Sequence, residues 1–400
     1  MKKFLALTLA LVLTLALVAC GAKPAEPAPA EPAAPTGDAV TVEGSIALVT
    51  DVGTIDDESF NQACWEGVEA YAKENNLEYD YYQPAADSTE DRMTSIRQAV
   101  ETDGRTIVVC PGFLFADVLY QAQDLYPEVK FVGIDVSFGD FLAAAGVDTM
   151  AADFDITAYK PADYVKPNTE LIVFGEEQCG YLAGYAAVMD GYTKLGFLGG
   201  MAVPAVVRYG YGYIQGIDAA AKEKGVDVTV NYTYGNQFFG DATITAKMEG
   251  WYTTGTEIVF ACGGGIYTSA VEAALKNNGY VIGVDTDQNH IGLAEMEKGA
   301  TYNPFVTSAI KGLKEATMDR LNTYFTGKWD TVGGNVTVLD LLSGDYVGIP
   351  TAETSFNFKT FTMEQYEAAK AGIKDGTIKV SNDIGAKPTV SEKTVVTYID

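Results

Sequence analysis

The stretch that decides the fold is Ser45-Ile-Ala-Leu-Val-Thr-Asp-Val-Gly-Thr-Ile-Asp-Asp-Glu-Ser-Phe-Asn-Gln-Ala-Cys-Trp-Glu-Gly67. Its apolar run at 46–49 is typical of a buried parallel strand, and the capping residues before Phe60 predict a helix from there to about Asn75. In an open α/β sheet, ligands bind at the carboxyl ends of the strands, beside the helix N-termini. We therefore expect Asp51, Phe60 and Asn61 on the ligand side.

The globular part of the sequence repeats after about 150 residues. Residues 67–82 resemble residues 216–231, and the strand-like run that ends at Asp135 corresponds to the one that ends at Asp285. Each copy alternates strand and helix patterns, which indicates a doubly wound parallel sheet. The repeat therefore predicts two α/β lobes facing each other across a cleft, which is the layout of a hinge-closing binding protein.

The repeat also suggests how the chain divides between the lobes. We expect residues 44–150 and about 286–325 to form lobe 1, and residues 151–285 and about 326–400 to form lobe 2. Helical spacing predicts a helix over 306–325 that crosses between the lobes. The tail contributes strand-like runs at 336–339 and 394–398 and a helix around 363–371.

Composition excludes several classes of function. The 400 residues carry a net charge of −27, which disfavours binding to nucleic acid or to an anionic membrane surface. The single histidine, His290, makes a Ser-His-Asp triad improbable and excludes a histidine-rich metal site. No metal spacing occurs among the cysteines, so we expect no metal site. Nothing resembles a nucleophile motif, and we expect no cofactor and no enzyme activity. Four cysteines are interpreted as small buried apolar residues: Cys64, Cys110, Cys179 and Cys262.

The N-terminus has the pattern of an exported lipoprotein. Two lysines precede an apolar run at 4–18 that is too short to span a bilayer comfortably, and Leu-Val-Ala-Cys20 resembles the bacterial lipobox. We expect a signal peptide at 1–19, lipidation of Cys20, and an Ala/Pro/Glu tether over 20–43. The protein would then be lipid-anchored to the cell membrane, facing the extracytoplasmic side.

Carboxylates and aromatic rings mark the candidate ligand site. Asp51, Asp135 and Asp285 each end an apolar strand, where a carboxylate accepts hydrogen bonds from a vicinal diol; the alternative is a plain capping role. Phe60 and the Phe238–Phe239 pair in a polar loop are suited to sandwich a planar ring, although most aromatics are core residues.

Glycines and one lysine complete the candidate set. The loop with Gly263 and Gly264 follows a strand and either approaches a neutral ligand closely or is simply a tight turn. Lys311 either donates to a ligand hydroxyl or neutralises the aspartates; the alternative is a solvated lysine on a helix. No phosphate-binding glycine motif occurs, which favours a nucleoside or sugar over a phosphorylated ligand.

Four motifs resemble the basic membrane protein family, the purine-nucleoside-receptor type of lipoprotein that supplies substrate to ABC importers. These motifs, in chain order, are Asp51-Val-Gly-Thr-Ile-Asp-Asp-Glu-Ser-Phe-Asn-Gln, Gly175-Glu-Glu-Gln-Cys-Gly-Tyr-Leu-Ala-Gly-Tyr, Lys194-Leu-Gly-Phe-Leu-Gly-Gly-Met and Val281-Ile-Gly-Val-Asp-Thr-Asp-Gln. The resemblance covers about residues 45–321. It implies a type I periplasmic-binding-protein fold, a purine nucleoside as ligand, and ABC permease and ATPase subunits as partners of a monomeric binding protein.

The resemblance also implies a role for each candidate residue. Phe60 and an aromatic near Phe238 would stack on the base, and Asn61 and Asp135 would bond its edge. The ribose would be held by Asp51, Asp285, Lys311 and the Gly263–Gly265 loop. The sequence departs from the family pattern by its doubled phenylalanine and by Ile266-Tyr267 after the glycine loop. A sugar-binding protein, a secreted nucleoside hydrolase and a signalling receptor remain as alternatives.

Overall fold

The computed structural model describes residues 40–399, so the predictions for the signal segment, Cys20 and most of the tether lie outside the described residues. The strands are β1 (Ser45–Val49), β2 (Glu78–Tyr82), β3 (Ile107–Pro111), β4 (Lys130–Ile134), β5 (Thr169–Phe174), β6 (Lys194–Gly199), β7 (Val228–Tyr234), β8 (Ile258–Cys262), β9 (Tyr280–Asp285), β10 (Phe305–Lys311), β11 (Val336–Leu339), β12 (Val347–Gly348) and β13 (Thr394–Tyr398). The α-helices are α1 (Phe60–Asn75), α2 (Thr89–Arg97), α3 (Ala116–Leu125), α4 (Phe138–Ala144), α5 (Glu176–Met189), α6 (Pro204–Lys224), α7 (Ala242–Thr253), α8 (Tyr267–Asn277), α9 (Asn289–Glu297), α10 (Leu313–Phe325) and α11 (Met363–Lys374).

The strands form two sheets with the same core order. The first runs β11-β5-β4-β3-β1-β2, and the second runs β12-β10-β9-β8-β6-β7-β13. Neighbouring strands are parallel, except that β12 runs antiparallel to β10. The central strands are apolar runs buried on both faces, as β3 and β8 show, because helices cover both sides of each sheet. The predicted α/β class with two parallel-sheet lobes is confirmed.

The assignment of three strands to the lobes was wrong. The predicted boundaries put β5 and β11 in lobe 2 and β10 in lobe 1, whereas β5 and β11 belong to the first sheet and β10 to the second. Strands β5 and β10 are equivalent members of the repeat, but irregular chain at 146–168 precedes β5. That segment is longer than its counterpart between β9 and β10, so the fifth strand falls outside the 150-residue register.

The predicted helix over 306–325 is also corrected. Its first part is the buried strand β10, and the helix α10 begins only at Leu313, after Gly312. Apolar and β-branched side chains fill this strand, which pairs with β9 along its length. The strands predicted at 336–339 and 394–398 are confirmed as β11 and β13, and the predicted tail helix as α11. The four cysteines of the globular part are buried and unpaired, as expected.

The last helix of each repeat packs on the other lobe. Helix α5 follows β5 of the first sheet but lies against α6, which follows β6 of the second sheet. The two helices approach so closely that a Cβ atom on Gly212 would lie 1.9 Å from the Glu177 carbonyl oxygen. Helix α10 in turn packs on α1, where a Cβ atom on Gly67 would lie 2.8 Å from the Lys314 carbonyl oxygen. The lobes are therefore joined by exchanged helices as well as by the crossing chain.

Candidate functional site

A cavity of about 640 Å³ lies at the carboxyl ends of the strands, with residues of both lobes in its wall. The structure brings together in its lining all nine residues predicted for a ligand site: Asp51, Phe60, Asn61, Asp135, Phe238, Gly263, Gly264, Asp285 and Lys311. The strand-end rule predicted this edge of the sheets for Asp51, Phe60, Asn61, Asp135 and Asp285, and they lie there. Their individual roles toward a ligand stay predictions.

Asp135 and Asp285 occupy equivalent positions in the two lobes and share an unusual backbone. Their φ angles are +59° and +66°, in the left-handed region where residues other than glycine are uncommon. Aspartate tolerates this conformation better than most residues, because its short polar side chain bonds locally. The repeat therefore preserves a backbone geometry at the cleft as well as a residue type.

Lys311 is buried at the end of β10, with its side chain only 2% exposed, so the solvated-helix interpretation was wrong. Its ammonium nitrogen lies 2.5 Å from Asp135 Oδ2, 3.5 Å from Glu176 Oε1 and 3.8 Å from Asp285 Oδ1. Burial alone would lower the pKa of Lys311, but the three carboxylates outweigh it and raise that pKa. Lys311 is thus a permanent cation that ties three acidic groups together.

A second, partly buried cation, Arg208, lies behind this group. Its Nε atom lies 2.6 Å from Glu176 Oε2, and the Glu176 side chain is fully buried at the start of α5. Glu176 therefore bridges Arg208 and Lys311. Sequence reasoning missed both Glu176 and Arg208, because their partners are distant in the chain. Glu176 could have been found from its position just after β5, because the end of a parallel strand lies at the cleft.

Asp135 keeps one oxygen unused among the residues that the structure describes. Oδ2 bonds Lys311, whereas Oδ1 is buried and has no hydrogen-bond partner in that part of the chain. Burial raises the pKa of Asp135 to about 6, although the Lys311 charge opposes the shift. A buried acceptor without a partner is costly, so Asp135 Oδ1 is suited to receive a donor from a ligand.

Asp51 and Asn61 are held by bonds within their own loop. Asp51 Oδ1 accepts the Gly53 backbone N–H at 2.8 Å and the Asn61 amide at 3.0 Å, and burial raises the pKa of Asp51. The Asn61 amide also donates to Asp57 Oδ2 at 3.2 Å. Both hydrogens of the Asn61 amide are therefore used within the first lobe, and its contribution is to hold Asp51 and Asp57 in place.

Phenylalanine rings from both lobes line the cavity. Phe60 is half-buried at the start of α1, and the Lys311 ammonium lies 4.9 Å from its ring centroid. Phe238 is half-buried and packs so closely on the glycine turns that a Cβ atom on Gly200 would lie 2.6 Å from its ring. Gly263 has a φ of +147°, which other residues rarely adopt. Phe239 is 61% exposed, so Phe238 is the better fixed of the pair.

Two parallel-sheet lobes with a lined cleft between them form the type I periplasmic-binding-protein fold. The structure is similar to a solute-binding protein of Aeropyrum pernix K1, with a TM-score of 0.66, 20% identity and coverage of 85% of this chain and 94% of that one. It is also similar to one of Conexibacter woesei DSM 14684, with a TM-score of 0.61, 19% identity and coverage of 85% and 99%. The chain belongs to the Bmp family, described as ABC transporter substrate-binding protein PnrA-like, whose family model matches residues 45–382.

Relatives of known name agree with this assignment. The ABC transporter nucleoside-binding protein BmpA of Lactococcus lactis is 29% identical over 362 residues, 86% of this chain and 91% of the relative. Basic membrane protein B of Borreliella burgdorferi is 28% identical over 316 residues, 77% of this chain and 81% of the relative. The predicted resemblance is confirmed. Between residues 40 and 399 no helix is long and apolar enough to cross a membrane.

Proposed function

We propose that this substrate-binding protein takes a purine nucleoside into its cleft and delivers it to an ABC permease. The observation that carries the proposal is the buried, unpartnered Asp135 Oδ1 in a cavity with half-buried phenylalanine rings from both lobes. A planar heterocycle with a ring N–H satisfies both features. The nucleoside-binding name of the Lactococcus lactis relative supports the same ligand class.

The base would lie between Phe60 and Phe238, where stacking contributes about 1–3 kcal/mol per ring. Asp135 Oδ1 would accept a hydrogen bond from the base edge, with Asn61 holding the neighbouring loop. Asp51, Asp285 and Lys311 would hold the ribose beside the Gly263–Gly264 turn. The volume of about 640 Å³ suits a ligand of this size.

The charges of the cavity favour a neutral ligand. Five aspartates line it among the described residues, against one lysine, and that lysine already contacts three carboxylates. A phosphate group would meet this negative field without a free cation to bind it. We therefore propose that nucleosides bind and nucleotides are rejected.

The cellular setting is part of the proposal. A lipid on Cys20 and the tether over 20–43 would hold the binding protein at the extracytoplasmic face of the cell membrane. From there the monomeric protein would dock on the permease, whose ATPase subunits drive uptake. The role is binding and delivery, with no chemical change of the ligand and no cofactor.

Native mass spectrometry of the purified protein, followed by calorimetry, tests this function. We expect a co-purified nucleoside and binding of guanosine, inosine or adenosine, with no binding of guanosine monophosphate. Binding of free ribose or galactose without any nucleoside would replace the proposal by a sugar-binding function. Recovery of free base and ribose after incubation with a nucleoside would indicate a hydrolase instead.

A further inference from the structure

The turn of residues 57–59, which precedes α1, contacts the second lobe at the edge of the cavity. We call it the closure turn. The Glu58 carbonyl oxygen accepts a hydrogen bond from Gln288 Nε2 at 2.9 Å and another from Thr286 Oγ1 at 3.2 Å. Glu58 follows β1 of the first sheet, whereas Thr286 and Gln288 follow β9 of the second. These bonds therefore connect the two lobes directly.

The closure turn also contacts the candidate ligand site. Ser59 Oγ donates to Asp285 Oδ2 at 2.7 Å, and both residues are buried. The other oxygen of Asp285 accepts a hydrogen bond from the Tyr209 hydroxyl at 3.3 Å. Ser59 itself is not part of the cavity wall. A serine of the first lobe thus fixes the orientation of a carboxylate that belongs to the second lobe and lines the cavity.

The first-lobe side of this contact is held by its own bonds. The Asp57 carboxylate accepts the backbone N–H groups of Ser59 at 2.9 Å, Asn61 at 3.0 Å and Gln62 at 3.1 Å. Glu58 has a φ of +53°, an uncommon backbone conformation for glutamate that has to be maintained by its surroundings. The turn therefore presents the Glu58 carbonyl and the Ser59 hydroxyl in a fixed arrangement.

The second-lobe side is held in the same way. Gln288 is fully buried, and its Oε1 accepts the Val284 backbone N–H at 3.0 Å. The Gln288 backbone N–H donates to Ser308 Oγ at 3.1 Å. At the rim, His290 Nε2 lies 2.8 Å from Glu58 Oε2, where both side chains are exposed. Two rigid surfaces with matching donors and acceptors therefore meet at one place.

We infer that Ser59 and Glu58 are positioning residues that couple the orientation of Asp285 to closure of the lobes. When the lobes close, the Ser59 hydroxyl orients the Asp285 carboxylate toward the ligand. The Glu58 carbonyl then holds residues 286–288, which follow Asp285, by two hydrogen bonds. Opening removes both contacts together, so the site loses its arrangement as the ligand leaves. The inference rests on the proposed function, because it assigns Asp285 to the ligand.

Three substitutions in the full chain test the coupling. Ser59→Ala removes the bond to Asp285, Ser59→Thr keeps a hydroxyl, and Thr286→Val removes one bond to Glu58. Thr254→Val is the matched control, because among the described residues the Thr254 hydroxyl bonds only to carbonyl oxygens of α7, within its own lobe. Calorimetry and stopped-flow kinetics with guanosine and inosine give affinity and dissociation rate, and small-angle scattering gives the radius of the ligand-free protein.

We expect Ser59→Ala to weaken guanosine binding about 10-fold or more, since hydrogen bonds to charged groups are the stronger ones. Ser59→Thr should restore binding, and Thr286→Val should accelerate dissociation with little change in association. A merely structural role would lower the melting temperature and leave the affinity unchanged. Parent-like affinity and dissociation in both Ser59→Ala and Thr286→Val would overturn the coupling.

The scattering measurement separates this inference from the proposed function. If the parent binds no nucleoside at all, the proposed function fails, yet the closure turn still predicts a larger radius for ligand-free Ser59→Ala and Thr286→Val than for Thr254→Val. Equal radii in all variants would then overturn the closure role as well.

Discussion

The Lys311 ammonium, at the end of β10 in the second sheet, lies 2.5 Å from the Asp135 carboxylate, which directly follows β4 in the first sheet. This buried ion pair crosses the cleft. The same lysine also contacts Glu176 and Asp285, so removing Asp135 leaves the cation with two carboxylate partners. Asp135 can therefore be substituted without leaving a buried charge unpaired, which makes it a suitable position for testing the ligand.

Asp135→Ala should weaken nucleoside binding by about 2–4 kcal/mol, roughly 30- to 1000-fold, because base donors lose an ionised acceptor. Asp135→Asn keeps an acceptor oxygen and should lose less. Since the carboxylate would accept a hydrogen bond from the base edge, the order of affinities for guanosine, inosine and adenosine should also change. Calorimetry with all three measures both effects, and an unchanged ranking in both variants would contradict contact with the base.

Phe60→Ala and Phe238→Ala should each cost about 1–3 kcal/mol of binding free energy, equally for all purine nucleosides, because every base has a stacking face. Phe239→Ala is the matched control, since that ring is 61% exposed. Fluorescence titration with the same panel decides the matter. A loss of affinity in Phe239→Ala alone would transfer the stacking role to the neighbouring ring.

Nucleoside affinity should fall as the pH is lowered through about 6. Burial raises the pKa of Asp135 to about 6, and protonation removes the negative charge that makes its carboxylate a strong acceptor for the ligand. Calorimetry between about pH 5 and pH 8 should show this fall in affinity for the parent. The affinity of Asp135→Asn should depend less on pH, because the asparagine side chain does not titrate. A parent profile that is flat over this range would contradict the role of Asp135.

The same group affects folding in the opposite direction. The pKa of Asp135 in the folded protein lies above the ordinary value of 3.8, and burial likewise raises that of Asp57 to about 6. The folded state therefore binds more protons than the unfolded state between about pH 4 and pH 6. The contribution of these two groups to the free energy of unfolding falls as the pH rises through that window. Urea unfolding of the parent and Asp135→Asn should differ in pH slope accordingly.

Gly212→Ala should destabilise the protein by at least about 1–3 kcal/mol, because its new Cβ would lie 1.9 Å from a backbone oxygen of α5. Gly250→Ala in α7 is the control, since a Cβ there meets no atom within 4 Å. The control should stabilise the helix by about 0.5–1 kcal/mol. Urea denaturation measures both. Equal effects of the two substitutions would show that α5 and α6 have room to separate.

Cys20→Ser should release the protein from the membrane without changing its affinity for nucleosides, because the proposed tether would separate a lipid on Cys20 from the folded part. Fractionation of cells followed by calorimetry on the soluble protein measures both properties. A variant that stays in the membrane fraction after a salt wash would show that something other than the lipid holds it.

Local patterns predicted the strand-end residues well. Asp51, Asp135 and Asp285 were found because each follows an apolar run, and the repeat confirmed the equivalence of the last two. The strand at 394–398 was found from its β-branched composition. Such features depend on the order of neighbouring residues, so sequence carries them directly.

Features that depend on distant contacts were missed. Residues 306–311 have an apolar pattern that suits a buried strand as well as a helix, and only pairing with β9 decides between them. Burial of Lys311 follows from three carboxylates on separate elements, which no local window contains. Glu176 and Arg208 meet because α5 crosses to the second lobe, an exchange that the alternation of strands and helices does not specify.

The exchange of α5 and α10 has a consequence for the origin of the chain. A polypeptide with only the first repeat would end in a helix without a groove of its own and would leave the groove on α1 uncovered. Two copies of such a half would complete each other by trading their last helices, as in a domain-swapped dimer. The present chain has the architecture that fusing the two genes of such a pair would produce, and the symmetry axis of the pair would have passed through the cleft.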